Sequence, residues 1–148
     1  MSKLLQALLS GMFFTMFLDF FFFLGMQLHY IEALEINVYY NIFFADNQSF
    51  LLYFLLSIVL GYVTLYLSHK VSLVVVGTLF CLSASTLIPD IGYKVGEKLF
   101  MQKDKTLYTQ RFQYKGDIYY DGRSELYFYD KGLEKMLIIQ KQKIKELH

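Results

Sequence analysis

The chain has 148 residues, 55% of them hydrophobic and 19% aromatic, with 18% charged and a formal net charge of +1. A water-soluble protein has no place for so much apolar surface, and so small a net charge excludes a strongly basic nucleic-acid binder. The charges are also segregated: before Pro89 the only lysines or arginines are Lys3 and Lys70, whereas twelve lie between Lys94 and Lys145.

Three apolar stretches come first, Leu4–Leu28, Phe50–Leu67 and Val71–Ile88. A bilayer core needs roughly 20 apolar residues in helical form, with about 17 to 25 tolerated, so three transmembrane helices are expected at about 4–28, 50–67 and 71–88. The first is read as a retained anchor, because its run is too long for a cleavable signal and no small-residue cleavage pattern follows Gly25. Four consecutive phenylalanines, Phe20–Phe23, cover every side of a helix, which places that helix deep in protein or in lipid. The second and third stretches form a helical hairpin about Ser68, His69 and Lys70, and Pro89 closes the third.

Small residues recur at spacing four within these helices. Ala7, Gly11, Thr15 and Asp19 form one seam, Ser57 and Gly61 a second, and Gly77, Cys81 and Ser85 a third. Such seams let helices approach closely in lipid, so these nine positions are the candidate packing residues. Asp19 is the one acid within the spans, and a membrane-embedded carboxyl is expected to face protein, either neutral or paired. Thr64, Tyr62, Ser83 and Ser85 are its candidate partners. It serves either as interhelical glue or as a proton-carrying site.

Between the first two spans, residues 29–47 place Ile31, Leu34, Val38, Ile42 and Ala45 at steps of three and four. That spacing predicts an amphipathic helix lying flat on the membrane, with an irregular loop as the alternative. Residues 91–105 read as a juxtamembrane linker.

From Thr106 apolar and polar residues alternate, the period of half-buried strands. An antiparallel sheet of about four strands is expected at 106–114, 117–120, 123–130 and 133–140, within a small β domain covering 106–148 and ending in a charged terminus. Asp121-Gly122 predicts a tight hairpin turn, and Lys115-Gly116 and Lys131-Gly132 predict the adjoining ones. Tyr119, Tyr120, Tyr127 and Tyr129 are candidate partner-binding residues, since tyrosine suits interfaces. The expected fold class is therefore integral membrane α-helical, with three transmembrane helices and a small antiparallel β C-terminal domain.

No catalytic constellation stands out. Cys81 lies alone in an apolar span, His29, His69 and His148 lack zinc-site spacing, and neither a phosphate loop nor a dinucleotide fingerprint occurs. No cofactor, metal, nucleic acid or small-molecule substrate is expected; the expected partners are the bilayer itself, further copies of the chain and a larger membrane complex. From Pro89 on, twelve bases face nine acids, a solvated mixture of charges.

Basic residues near short loops stay cytoplasmic, so Lys3 and Lys70 place the amino terminus inside and the β domain in the periplasm of a bacterial inner membrane. Lys94, Lys98, Lys103 and Lys105 pull the other way. A few membrane helices followed by a small β domain resembles the layout of short bacterial proteins of the stomatin-partner type, which implies an OB-type barrel for the tail. The phenylalanine, tyrosine and lysine bias is similar to that of small inner-membrane proteins of low-GC bacteria, among them accessory flagellar-motor and secretion components. The expected function is a non-catalytic scaffold or accessory subunit of an envelope assembly, with a subunit of a proton- or ion-coupled complex using Asp19 as the alternative.

Overall fold

The computed structural model describes residues 2–109 and 112–147, with the side chains of 145–147 left aside. Five α-helices precede a five-stranded antiparallel sheet. The helices are α1 (Lys3–Met26), α2 (Tyr40–Asn47), α3 (Phe50–Tyr66), α4 (His69–Ala84) and α5 (Pro89–Phe100). The strands are β1 (Gln102–Thr109), β2 (Gln113–Asp121), β3 (Glu125–Asp130), β4 (Lys135–Gln140) and β5 (Ile144–Leu147).

The Ser2 hydroxyl accepts from the Leu5 N–H and starts α1, which then runs for 24 residues, about 36 Å at 1.5 Å per residue. It widens into one π-helical turn at Gln27–Ile31. This continuous helix, Lys3–Ile31, and the stretch His69–Leu87 are each long and apolar enough to cross a membrane. A third crossing is available if α2 and α3, bent by 83° at their junction, count as one span. Leu51 and Leu73, 71% and 70% exposed, illustrate how much apolar surface α3 and α4 turn outward.

The segment expected as an amphipathic surface helix divides instead. A turn at 32–35, with Glu35 at φ 55°, and an extended stretch lead into α2, whose axis breaks sharply from α3. Ile31, Ile36 and Phe43 from this segment are buried within protein, packed with Phe23, Met26 and Tyr30. They do not form a lipid-facing stripe.

The segment expected as a linker is also folded. Pro89 lacks an N–H and so fits the first turn of a helix, where none is needed; it opens α5 as well as limiting the helix before it. β1 follows immediately, starting at Gln102, four residues before the expected sheet.

The sheet order is β4-β3-β2-β1-β5. Three residues, Lys141–Lys143, carry the chain from β4 to β5 at opposite ends of that order, a reach of at most about 14 Å. The sheet must therefore curl until its edges approach, enclosing a small core of Leu107, Ile118, Leu126 and Phe128. Among the described residues β4 and β5 do not pair, so the curl remains open where the resemblance in layout implies a closed barrel.

Two expected turns change. Gly116 lies inside β2, not in a turn, and its α-carbon hydrogen faces the Tyr129 carbonyl oxygen so closely that no Cβ would fit. β1 and β2 instead approach each other at Thr109 and Phe112, where the Thr109 N–H donates 2.9 Å to the Phe112 carbonyl; residues 110 and 111 of the expected 106–114 strand lie outside the described residues. The Asp121-Gly122 signal does mark a hairpin, but its loop has three residues, 122–124, and no glycine in the described chain takes a positive φ. At the β3–β4 turn beside Lys131-Gly132, the left-handed position is taken by Glu134 at φ 49°.

Candidate functional site

The α1–α3 contact is built on small residues. A Cβ on Gly11 would strike the Ser57 carbonyl and approach the Gly61 nitrogen to 2.7 Å, and one on Gly61 would strike the Ala7 carbonyl. Ala7, Gly11, Ser57 and Gly61 thus meet across an antiparallel pair, with the Tyr53 hydroxyl donating 3.1 Å to the Met12 carbonyl. Thr15 is fully buried beside them, and its hydroxyl has no hydrogen-bond partner among the described residues.

Asp19 ends this seam, and its partner is none of the four expected residues. The Gln48 side-chain amide donates 2.7 Å to Asp19 Oδ2. Thr64 and Ser85 donate within their own chain turns, Ser83 donates to the Leu18 carbonyl, and Tyr62 stacks on Tyr66. Gln48 sits at the α2–α3 corner, so the acid lies level with the start of α3.

The third seam is not packed. A Cβ on Gly77 would meet nothing within 4 Å and Cys81 is exposed, because α4 leans away from the pair. What holds α4 is its upper end: Ser83 on Leu18, and Thr86 donating 3.1 Å to the Phe21 carbonyl. Between α4 and α1 lies an apolar groove of about 500 Å³ lined by Phe13, Phe17, Val76, Gly77 and Phe80.

The second half of α1 carries the phenylalanine run into a junction with the sheet. Phe23 packs edge-on against Phe43 and Phe44. Tyr30 is fully buried between Tyr93 and Phe100 of α5, and its hydroxyl donates 2.7 Å to the Tyr119 carbonyl. Gly96 allows that approach, since a Cβ there would reach the Tyr30 Cβ at 2.5 Å. The side-chain amide of Gln27 donates 3.0 Å to the Val38 carbonyl, while the His29 ring nitrogen donates 2.9 Å to the Leu87 carbonyl.

From the sheet side, the β2–β3 register slips between Ile118 and Tyr120, a bulge that puts Tyr119 and Tyr120 on the same, helix-facing side. Tyr120 meets Phe43 and Phe100, and its hydroxyl accepts 3.2 Å from the Asn47 amide. Burial, opposed by that bond, raises the Tyr120 phenol above its ordinary value. Tyr119 stacks on Tyr129 with rings 5.6 Å apart and 4° from parallel. Of the four candidate partner-binding tyrosines, then, Tyr120 and Tyr127 are consumed in the junction core, 2% exposed each, while Tyr119 and Tyr129 remain half-buried. The apolar residues turned outward on the β domain are Phe112, Leu133 and Ile138.

Arg123 adds an ion pair across the junction, 2.5 Å from Asp46. Among the described residues no group of three or more histidine, cysteine, aspartate or glutamate side chains is placed to hold a metal ion. Residues not singled out in the sequence, Gln48, Thr86 and Gly96, act through contacts between distant segments. Only Gly92 and Gly96 carried a local signal, a small-residue spacing of four on α5. Comparison of the chain with protein-family models, with curated proteins and with solved structures finds no match in any of the three.

Proposed function

We propose that this protein is a non-catalytic scaffold or accessory subunit of the bacterial inner membrane, three crossings deep, that presents its β domain to a partner in an envelope assembly. The observation that carries this reading is the junction: Tyr30, Phe43, Phe100, Tyr120 and Tyr127 form one core shared by helices and sheet. A domain tethered only to localise it needs a flexible linker. Here the chain spends its largest aromatic side chains on fixing the sheet's position and direction relative to the helices, which serves a part whose task is to hold a partner in register.

Further copies of the chain are proposed to pack on α4, whose open Gly77 and Cys81 face offers a close approach for a second helix. The amino terminus is placed in the cytoplasm and the sheet in the periplasm, following Lys3 and Lys70. Partner contact is assigned to the outward rim of Phe112, Leu133 and Ile138 with Tyr129 beside it.

Purification in mild detergent tests the proposal. Co-purification in fixed stoichiometry with a larger envelope assembly, lost when Phe112 and Ile138 are both changed to aspartate, is expected. A lone monomer under the same conditions contradicts it.

A further inference from the structure

A cleft of about 700 Å³ opens beside the α1–α3 seam, roofed by Leu99 and Phe100 at the end of α5. Its long wall is one face of α3, formed by Leu52, Leu55, Leu56 and Val59. From Leu52 to Val59 this wall runs two helical turns, about 10 Å. The polar lining collects at the α2–α3 corner, where Asp19, Asn47, Gln48 and Ser49 stand between the α3 wall and the rings of Phe22 and Phe23.

With α3 crossing from that corner, as the proposed placement has it, the cleft is polar where α3 begins and apolar along it. A lipid molecule has the same polarity in the same direction. Leu52, Leu55 and Val59 are each more than half exposed, and nothing within the described chain covers them.

The head end is selective in charge. Asp19 accepts one hydrogen bond, through Oδ2, and takes part in none of the ion pairs among the described residues. A carboxylate has about four acceptor sites, so most of its capacity is free. An acid without a cationic neighbour at the edge of the apolar layer favours an ammonium donor and disfavours an anionic head.

We infer that this cleft holds one phospholipid whose head carries a primary ammonium group, with the ammonium on Asp19 and an acyl chain along Leu52, Leu56 and Val59. The inference rests on the membrane placement in the proposed function and is independent of any partner of the sheet.

The test reconstitutes the full chain into vesicles of equimolar dioleoyl phosphatidylethanolamine and dioleoyl phosphatidylglycerol, extracts it in mild detergent, and counts retained lipids by native mass spectrometry. One ethanolamine lipid per chain is expected, enriched about tenfold over the glycerol lipid. Asp19→Asn keeps a hydrogen-bonding partner for Gln48 and is expected to bring the enrichment close to parity. Leu56→Trp fills the cleft and is expected to lower retention of both lipids. Equal retention of the two lipids by the wild-type chain, or an Asp19→Asn protein with undiminished preference, overturns the inference while leaving the proposed function standing. A chain that does not enter the vesicles overturns both.

Discussion

The Tyr30 hydroxyl, at the π-helical end of α1, donates a 2.7 Å hydrogen bond to the carbonyl of Tyr119 in β2, 89 residues further along the chain. This bond joins the longest helix to the middle of the sheet order, beside the aromatic core of Phe43, Phe100 and Tyr120. Tyr30→Phe leaves a part-buried carbonyl without its donor and is expected to cost about 1–3 kcal/mol. Tyr30→Ala also empties an aromatic site and is expected to cost about 3–5 kcal/mol. Denaturant unfolding in detergent micelles measures both.

Gly11 and Gly77 make a matched pair with opposite expected outcomes. A side chain at Gly11 meets Ser57 and Gly61 backbone, which cannot yield without separating α1 from α3, whereas one at Gly77 meets open space. Gly11→Val is expected to lower the melting temperature sharply, and Gly77→Val to leave it nearly unchanged. If α4 packs on a second copy, Gly77→Val instead weakens self-association in a detergent crosslinking assay.

Lys131 contacts both Asp104 at 2.5 Å and Asp117 at 3.1 Å, and the Asp104 N–H donates 2.8 Å to the Asp117 carboxylate. Although partial burial acts to raise it, these donors hold the Asp117 carboxyl below its ordinary value of 3.8. A depressed carboxyl contributes stability that is present above its unfolded value and lost as pH falls through the folded one. The stability of the sheet is therefore expected to fall below about pH 4, and Asp117→Asn is expected to flatten that limb. Circular dichroism melts from pH 6 to pH 2.5 would read it, with a modest amplitude because Lys131 is exposed to solvent.

For Asp19 and Gln48, a double-mutant cycle with Asp19→Leu and Gln48→Leu is expected to give a coupling near 0.6 kcal/mol and below about 1.7, the range found for polar pairs between membrane helices. Asp19→Asn is expected to leave assembly intact. Loss of cellular function with assembly retained would favour a proton-carrying role over a packing one.

Local patterns made parts of this architecture legible. The Ala7–Gly11 and Ser57–Gly61 spacings are properties of single helices, so the faces that meet were visible before the partners were. The alternation in 125–130 and 135–140 likewise marks strands from neighbouring residues alone. What escaped depends on distant segments. Gln48 reaches Asp19 only because α2 and α3 break at an 83° corner. Lys94, Glu97 and Lys98 gave 91–105 the look of a solvated linker, hiding the Gly92–Gly96 face that α5 turns toward α1 and Tyr30. Strict alternation at Tyr119-Tyr120 would put one ring outside; the bulge puts both against the helices, so two residues that looked free to bind a partner include one that is core.

Helices and sheet are joined into one unit where α5 and β2 meet Tyr30. Hydrogen–deuterium exchange of the full chain in lipid nanodiscs addresses this directly, read at the amides of α5 and β2. Both are expected to exchange slowly and to lose protection together in Tyr30→Ala. Rapid exchange across α5 while α1 and β2 stay protected would mean that the sheet hangs on a flexible tether, and the scaffold built on that junction would fall with it.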